Sequence, residues 1–309
     1  EEKFDFLPKN NTHNRELSSF LTVQEGCDKF CTFCVVPYTR GSEYSRPVRD
    51  IVAEAKLLVS GGAKEIVLLG QNVNAYHGLA NNGSEVGLDY VINCIADIEQ
   101  LDRIRFTTSH PRDMNKNLIK IFGSQKKLMP LMHLPVQSGS DKILKLMNRK
   151  YTKTSYLKII DRLRNQCPDI SLSSDFIVGY PDETKRDFQD TLDLVKEVNF
   201  AQAYSFKYSS RVGTKSARSN LDNISNEEKN DRLQKLQELL NSQQKKFNTN
   251  FISKKVEVLV KGKGKKINQY RGTTKWMQVV NFESSKEAKS IENVKIIKAS
   301  NNSLLGEVL

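Results

Sequence analysis

The sequence contains no apolar run of about 18 residues or more, the length that a membrane-spanning helix requires. It has only five cysteines, and no apolar leader segment precedes them. An odd and small number of cysteines without a secretory leader argues against a disulfide scaffold. We therefore expect free thiols in a reducing, cytoplasmic environment, with no membrane association.

Histidine is also scarce, with four residues in the chain. His13, His77, His110 and His133 are scattered singly, so they lack the spacing of a zinc site built from paired histidines and cysteines. His110 and His133 fall at the ends of predicted strands. There they either face a site or serve as hydrogen-bonded structural residues.

Positive charge is the dominant feature of the composition. The chain has 48 Lys and Arg against 36 Asp and Glu, a formal net charge of +12. Residues 251–309 alone hold 12 basic and 5 acidic side chains. Such a balance favours a polyanionic partner, and a merely solvated basic surface is the alternative.

Three of the five cysteines fall in one short polar loop. Cys27, Cys31 and Cys34 are spaced C-x3-C-x2-C. Iron–sulfur clusters usually take four cysteine thiolates, so three thiolates would leave one iron of a four-iron cubane open for another ligand. A zinc site and a chance grouping of buried cysteines are the alternatives. Cys94 reads as a core residue and Cys167 as a helix-end residue.

Strand and helix patterns alternate about six times over the first two thirds of the chain. Alternation of this kind is typical of a parallel sheet with helices outside, and sites in such folds lie at the carboxyl ends of the strands. The predicted fold class is α/β, an open partial (β/α)6 barrel. Its predicted strands are 18–23, 65–70, 103–109, 129–137, 170–179 and 201–208, with helices at 47–60, 88–98, 115–122, 140–148, 152–166 and 182–198.

The pattern changes after a long predicted helix that begins at a Ser225–Glu228 capping box and runs to about Phe247. Short strands with glycine and polar turns then predict a small antiparallel β-barrel. Basic turns with an aromatic side chain suit a nucleic-acid backbone, and a structural barrel that is basic by chance is the alternative. The candidate RNA-binding residues are Lys263, Lys265, Lys266, Arg271, Lys275 and Trp276.

The cysteine loop resembles the signature of the radical S-adenosylmethionine (SAM) enzymes, C-x3-C-x-aromatic-C, with Phe33 at the aromatic position. Other segments resemble the methylthiotransferase branch and, within it, the MiaB-type family that modifies tRNA. The basic barrel is similar to a TRAM domain, an OB-like module that binds tRNA. The segments that carry the resemblance are Cys34–Gly41, Ser45–Pro47, Leu69–Asn74, Thr107–Pro111, His133–Ser140, Met147–Thr152 and Asp175–Pro181.

The resemblance implies one 4Fe–4S cluster on Cys27, Cys31 and Cys34, with an open iron that binds SAM. Reductive cleavage of SAM then gives a 5′-deoxyadenosyl radical, while the protein positions the cofactor and excludes side reactions. The implied reaction adds a methylthio group at carbon 2 of N6-isopentenyladenosine at tRNA position 37. One SAM supplies the methyl group and a second supplies the radical. The base should be splayed out of the anticodon loop to reach the cluster.

By the same resemblance, Phe33 lies beside the adenine of SAM, and Gly70, Gln71 and Asn72 hold its amino group. Each polar candidate could instead be a loop cap or a surface group. The implied partners are the tRNA anticodon stem-loop and an electron donor such as flavodoxin or ferredoxin, and we expect a monomer. The candidates for ribose and carboxylate contacts are Gln137, Ser138, Arg149 and Asp175.

The family normally carries a further N-terminal domain whose three cysteines hold a second cluster, the expected sulfur donor. Those cysteines are missing here, so we expect a fragment that cleaves SAM without inserting sulfur. The predicted parts are a linker from the missing domain over 1–12, a radical SAM core over 13–245 and a TRAM-like RNA-binding domain over 248–309.

Two other functions remain open. One is a non-catalytic tRNA-binding module. The other is a sister methylthiotransferase that acts on threonylcarbamoyl-adenosine or on a ribosomal protein. The sister enzymes share the cysteine loop but differ around 70–72 and 137–139.

Overall fold

The computed structural model describes residues 17–219 and 222–309. The predicted linker over 1–12 lies outside the described residues. No described helix is long and apolar enough to cross a membrane.

Strands and helices alternate through the first part of the chain, as predicted. The strands are β1 (Ser18–Thr22), β2 (Gln24–Glu25), β3 (Tyr44–Ser45), β4 (Glu65–Leu69), β5 (Arg103–Phe106), β6 (Leu131–His133), β7 (Ser171–Val178) and β8 (Gln202–Lys207). The α-helices are α1 (Val36–Thr39), α2 (Val48–Ser60), α3 (Leu88–Ala96), α4 (Lys116–Ser124), α5 (Asp141–Leu146), α6 (Lys153–Gln166), α7 (Lys185–Val198), α8 (Lys215–Arg218) and α9 (Asn226–Thr249).

The six longer strands form the predicted partial barrel. Parallel pairing gives the orders β1-β4-β5 and β6-β7-β8. A parallel bridge between Ile104 and Leu128 joins the two halves. Within the described ranges β1 and β8 each pair on one side only, so the barrel is open between them. The prediction of an α/β partial barrel is confirmed.

The two faces of this sheet differ in character. Alternate residues such as Ile66, Ile104 and Phe176 belong to one large buried core beneath the helices. The residues between them point the other way, into the concave inner face of the barrel. Ser18, for example, donates a hydrogen bond to Glu65 across that face at 2.8 Å. Polar and charged side chains therefore line the interior.

Two predicted boundaries move for local reasons. The helix predicted from residue 182 begins at Lys185, because Asp182 has a left-handed backbone (φ 62°) and Thr184 caps the helix. The strand predicted over 129–137 is short, since Pro135 has no N–H to donate. The backbone then turns at Gln137, where φ is 73°.

Helix α9 connects the two hydrophobic cores. Leu236 and Leu240 are buried in the core of the partial barrel, whereas Phe247 packs on the second core. Near its end, Asn248 donates to the carbonyl oxygens of Ser300 and Asn301 at 2.9 and 2.8 Å. The predicted boundary between 245 and 248 thus falls inside this helix, and the domain limits stay a prediction.

The C-terminal strands close into a barrel in the order β10-β11-β13-β12-β9. The predicted small barrel is confirmed, and its strand pairs are antiparallel except β11 and β13, which run parallel. A closed ring of five strands cannot alternate direction all the way round, so one parallel pair is unavoidable. The strands are β9 (Lys255–Lys263), β10 (Gln269–Thr273), β11 (Val279–Glu283), β12 (Ile291–Ala299) and β13 (Leu304–Val308).

Buried arginines fasten this small barrel to the partial barrel. Arg105 pairs with Glu65 at 2.7 Å and also donates to the carbonyl oxygens of Thr274 and Lys275 at 2.8 and 2.9 Å. Arg103 donates to the Thr273 carbonyl oxygen at 2.9 Å. These bonds satisfy charges that burial would otherwise make costly. The small barrel therefore sits against the amino-terminal ends of β4 and β5, opposite the strand ends expected to carry the site.

Candidate active site

The cysteine loop is held at its base by a short antiparallel ladder. Residues 26–43 leave β2 and return through β3, which pairs Gln24 with Ser45. Gly26 has φ +77°, and a side chain there would meet the carbonyl oxygen of Ser42 at 2.0 Å. Only glycine fits this close approach of two backbone segments. The motif glycine is thus required by the fold of the loop.

The three motif cysteines lie together in this loop. Cys31 is buried, and Cys27 and Cys34 are partly exposed. Burial, with a smaller effect of the neighbouring Cys31 and Cys34, raises the pKa of Cys27 to about 11 even though a backbone hydrogen bond from Lys29 lowers it. Burial also raises the pKa of Cys34. Nearby positive charge, such as that of bound iron, is what would let all three thiols ionise together.

Carboxamide side chains tie the end of β4 to the cysteine loop. The Gln24 side chain donates to the Gly26 carbonyl oxygen at 2.7 Å and accepts from the Asn72 backbone N–H at 3.0 Å. Gly70 packs directly on Gln24, because a side chain at Gly70 would lie 2.5 Å from its Oε1. The Gly26 amide donates to Gln71 Oε1 at 2.6 Å. The three residues predicted to hold the SAM amino group therefore border the loop.

Asn72 is the one of these three that offers a free acceptor. Its Nδ2 donates to Asp113 Oδ2 at 2.8 Å, while its buried Oδ1 has no hydrogen-bond partner among the described residues. Asp113 also pairs with Lys29 of the cysteine loop at 2.7 Å. Lys29 and Asp113 were not among the predicted site residues, because a contact across 84 positions leaves no local signal in the sequence.

The end of β5 contributes a neutral histidine. His110 is buried, its Nδ1 accepts from the Arg112 amide at 3.2 Å, and its Nε2 has no partner within the described ranges. Burial, together with the positive charges of Arg149 and Lys29, lowers the pKa of His110 to about 2. The ring edge meets Tyr151, with centroids 5.6 Å apart. His110 thus presents an uncharged Nε2 next to the site.

Arg149 is the cation closest to the motif cysteines in the hydrogen-bond network. It is buried, and its NH1 lies 3.5 Å from Cys31 Sγ. Its Nε donates to the Tyr151 hydroxyl at 2.8 Å and its NH2 to the Pro135 carbonyl oxygen at 2.5 Å. Tyr151 belongs to a motif noted in the sequence, yet the sequence alone gave it no role. These bonds orient the guanidinium towards the cysteine loop.

The remaining SAM candidates divide into two groups. Gln137 lies at the end of β6, where its amide donates to the Asp175 carbonyl oxygen at 2.9 Å. The Asp175 carboxylate is partly exposed on the inner face, 3.6 Å from His133 Nε2. Ser138 is fully buried, and its hydroxyl lies 3.3 Å from the Thr191 hydroxyl. The geometry therefore suits Asp175 better than Ser138 for contact with a ligand.

Aromatic side chains line the opposite side of the site. Phe33 packs on a small core that includes Tyr180 and Tyr208. Tyr204 and Phe206 lie on the inner face of the edge strand β8 and are 49% and 54% exposed. Phe20 lies on the inner face of the other edge strand, β1, and is 69% exposed. Large apolar surfaces thus remain accessible on both sides of the opening.

The candidate RNA-binding residues occupy two different settings. Lys263, Lys265, Lys266 and Arg271 are exposed, on the ends of β9 and β10 and the loop that joins these strands. Trp276 instead donates from its indole nitrogen to a carbonyl oxygen of the partial barrel at 2.8 Å. It sits in a turn before β11.

The carbonyl oxygen that accepts from Trp276 belongs to Asp169. The side chain of Asp169 also pairs with Lys275, the residue before Trp276. The Lys275 ammonium lies 3.0 Å from the Asp169 carboxylate and 4.4 Å from the centre of the Trp276 ring. Phe251 packs on the same ring, with centroids 4.9 Å apart. Lys275 and Trp276 therefore connect the small barrel to the partial barrel.

The donor set fits an iron–sulfur cluster better than a single metal ion. Among residues 17–219 and 222–309, no three His, Cys, Asp or Glu side chains come close enough to share one ion. Each thiolate of a cubane binds a different iron, so the cysteines need not converge on one point. Unpartnered buried atoms, Asn72 Oδ1, Ser109 Oγ and His110 Nε2, lie at the adjacent strand ends. The three thiols could hold a cluster, and these buried polar atoms could form hydrogen bonds with a polar ligand bound to it.

Comparison with known proteins agrees with this fold. A family model described as the radical SAM superfamily matches residues 21–195. The chain therefore belongs to the radical SAM superfamily, whose members use a 4Fe–4S cluster and SAM.

Two curated relatives identify the family to which the chain belongs within this superfamily. A protein of Wolbachia pipientis subsp. Culex pipiens (strain wPip) is 56% identical over 98% of this chain and 70% of its own length. One of Rickettsia conorii is 53% identical over 100% of this chain and 69% of its own. Both are named tRNA-2-methylthio-N(6)-dimethylallyladenosine synthase. The chain is a member of this family, which is the MiaB-type family predicted from the motifs.

Solved structures share the fold at low sequence identity. The radical SAM methyltransferase TsrM of Kitasatospora setae matches with a TM-score of 0.52 and 14% identity, over 64% of this chain and 38% of its own. The coproporphyrinogen III oxidase HemN of Escherichia coli matches with a TM-score of 0.51 and 18% identity, over 74% and 53%. Both similarities support the radical SAM architecture of the partial barrel.

Proposed function

We propose that this chain carries out the radical SAM part of tRNA methylthiolation, at carbon 2 of N6-isopentenyladenosine in tRNA position 37. The observation that carries the proposal is the meeting of three motif cysteines, the buried Arg149 and the ends of β4 and β5 in one place. The names of the curated relatives supply the reaction. Cys27, Cys31 and Cys34 are the proposed cluster ligands, with one iron left open.

Residues around the loop have distinct proposed tasks towards SAM. Arg149 offers a fixed positive charge beside Cys31 for the SAM carboxylate. Asn72 Oδ1, buried and without a partner in the described chain, accepts from the SAM amino group. Asp175, partly exposed on the inner face, accepts from ribose hydroxyls. The bound cluster and SAM together supply a 5′-deoxyadenosyl radical, which an aromatic C–H requires because it offers no acidic proton or leaving group.

The inner face is suited to an extruded base. Phe20, Tyr204 and Phe206 leave large apolar surface accessible beside the barrel opening. Aromatic side chains hold unstacked bases by stacking, and the cost of extruding a base is least in a loop. We assign these three residues to the isopentenylated base. Phe33, within the cysteine loop, is assigned to the adenine of SAM.

The small barrel is the proposed RNA-binding module, and we propose that it is TRAM-like because it is a basic, closed five-stranded barrel. Lys263, Lys265, Lys266 and Arg271 are exposed and available for phosphates of the anticodon stem-loop. We also propose a cytoplasmic monomer reduced by flavodoxin or ferredoxin.

Sulfur insertion requires a donor that this chain's own cysteines do not provide. Beyond the motif, only Cys94 on α3 and Cys167 at the end of α6 remain. We propose that a second 4Fe–4S cluster, held by a domain N-terminal to residue 1, is that donor. The chain alone then cleaves SAM but leaves the tRNA base without a methylthio group.

The test is mass spectrometry of tRNA nucleosides after reaction with the reconstituted chain, alone and extended by the part of the relatives' length that this chain does not cover. We expect 5′-deoxyadenosine from both proteins and the 2-methylthio nucleoside only from the extended one. A chain that binds tRNA but holds no iron would overturn the proposal in favour of a non-catalytic binding module.

A further inference from the structure

A cavity of about 1100 Å³ lies behind the cysteine loop, separate from the inner face of the partial barrel. Its walls come from α5, the loop between β7 and α7, α8 and the first turns of α9. It is at the upper end of the size range of ligand sites. None of the residues assigned above to the cluster, SAM or the base lines it.

One wall of the cavity is part of the cysteine loop itself. Thr32 lies between Cys31 and Phe33 in sequence, and its hydroxyl is 2.8 Å from the Tyr180 hydroxyl. Its carbonyl oxygen accepts from the amide and the hydroxyl of Ser216 at 2.9 and 2.8 Å. A molecule in the cavity that contacts Thr32 would therefore lie next to Cys31 in sequence and two residues from Cys34.

Unpaired positive charge surrounds the cavity. Lys145, Lys185 and Lys215 line it and are exposed, and their ammonium groups form no ion pair or hydrogen bond within the described ranges. Lys185 is the first residue of α7, a 14-residue helix whose amino-terminal end favours anions.

The acidic side chains of the cavity are already engaged. Arg232 binds Glu183 at 2.7 Å and Glu228 at 2.5 Å. The remaining carboxylate, Asp182, accepts from Asn223 at 2.9 Å. Five basic side chains (Lys142, Lys145, Lys185, Lys215 and Arg232) line the cavity against three acidic ones (Asp182, Glu183 and Glu228), so its net charge is positive, which suits an anion.

We propose that this cavity binds the phosphate backbone of the RNA beside the extruded base. The inference rests on the proposed function, because it requires an RNA substrate whose reacting base reaches the cluster. With the base bound at the inner face and the phosphates bound in the cavity, the protein would contact the RNA on both sides of the cysteine loop. A concave cavity admits a single-stranded backbone, whereas a globular electron donor meets mainly its rim.

The test is the salt dependence of binding to a synthetic anticodon stem-loop RNA that contains N6-isopentenyladenosine. The test variant is Lys145→Ala/Lys185→Ala/Lys215→Ala. The matched control, Lys56→Ala/Lys120→Ala/Lys158→Ala, removes three exposed lysines from α2, α4 and α6. Iron content and SAM cleavage are measured on every protein, and both should equal those of the parent because no altered lysine touches the cluster loop ligands.

The cavity variant should bind the RNA about tenfold or more weakly at low salt, with the slope of log K against log salt reduced by about 2. The control should keep the parent's affinity and slope. A cavity variant that keeps the parent's slope overturns the inference. If flavodoxin also reduces the cluster of that variant more slowly, the cavity serves a protein partner instead of RNA. A parent protein that fails to bind the RNA at all overturns the proposed function instead.

Discussion

The backbone amide of Gly26 donates a hydrogen bond to Gln71 Oε1, 2.6 Å away. The two residues are 45 positions apart, yet this bond fixes the start of the cysteine loop on the end of β4. Gln71 was predicted to contact SAM. Its oxygen already serves the loop, so its first task is to place the motif cysteines.

Replacing Gln71 should therefore affect the cluster before it affects SAM. Gln71→Leu removes the acceptor for Gly26, and we expect reduced iron content after reconstitution because the loop loses an anchor. Gln71→Glu keeps an acceptor oxygen and should retain most of the iron. The measurement is iron per chain with the visible absorbance of the cluster. Equal iron in both variants would contradict this role.

Cys31 provides the sharpest test of the proposed ligand set. Cys31→Ala should abolish cluster assembly and SAM cleavage, because two thiolates and a buried Arg149 cannot hold a four-iron cubane. Cys94→Ala, which changes a cysteine on α3, should keep both properties. Iron analysis and detection of 5′-deoxyadenosine measure the two outcomes. A cluster retained in Cys31→Ala would show that the ligands are wrongly assigned.

Features that depend on residues close together in sequence were predicted correctly, whereas contacts between distant residues were not. The motif cysteines, the alternation of strands and helices and the basic C-terminal region are local patterns, and the fold they predicted is confirmed. Lys29 and Asp113 are far apart in sequence, so their pairing beside the site was invisible. Trp276 was predicted only as an RNA contact, because no local pattern shows that Asp169 binds its indole nitrogen.

Trp276 should accordingly matter for stability. Trp276→Ala removes its packing on Phe251 and its bond to Asp169, and we expect the free energy of unfolding to fall by about 2–3 kcal/mol. Ile267→Ala, at a side chain that is 90% exposed in the basic loop, should change it by less than about 0.5 kcal/mol. Chemical denaturation measures both. Unchanged stability with lost RNA affinity in Trp276→Ala would show a direct RNA contact.

The Arg105–Glu65 pair should contribute strongly to the union of the two barrels. Arg105→Met leaves the Glu65 carboxylate buried and removes two bonds to the small barrel, so we expect a loss of about 3–5 kcal/mol. Lys235→Ala breaks an exposed pair with Asp231 and should cost about 0.5 kcal/mol or less. Unfolding curves of both variants test this. Similar small losses would mean that the buried pair is dispensable.

His110 predicts a specific loss of stability in mild acid. Burial and nearby positive charge lower its pKa to about 2, whereas an exposed histidine in the unfolded chain has a pKa of about 6.5. Between these two values the unfolded state binds the extra proton, so stability falls as pH falls. For this one group the loss from pH 7 to pH 5 is about 2 kcal/mol.

The measurement compares the parent with His110→Asn, which keeps an acceptor for the Arg112 amide but does not titrate. The parent should lose about 2 kcal/mol more than the variant between pH 7 and pH 5. Parallel stability profiles for the two proteins would show that His110 is protonated in the folded chain.

The most direct test of the whole account is production of 5′-deoxyadenosine by the chain itself. The protein is reconstituted anaerobically with iron and sulfide, reduced with dithionite and given SAM, and the products are identified by mass spectrometry. The account predicts about four irons per chain, the number in one cubane, and 5′-deoxyadenosine that is lost in Cys31→Ala. A fully loaded and reduced cluster that leaves SAM intact would contradict it.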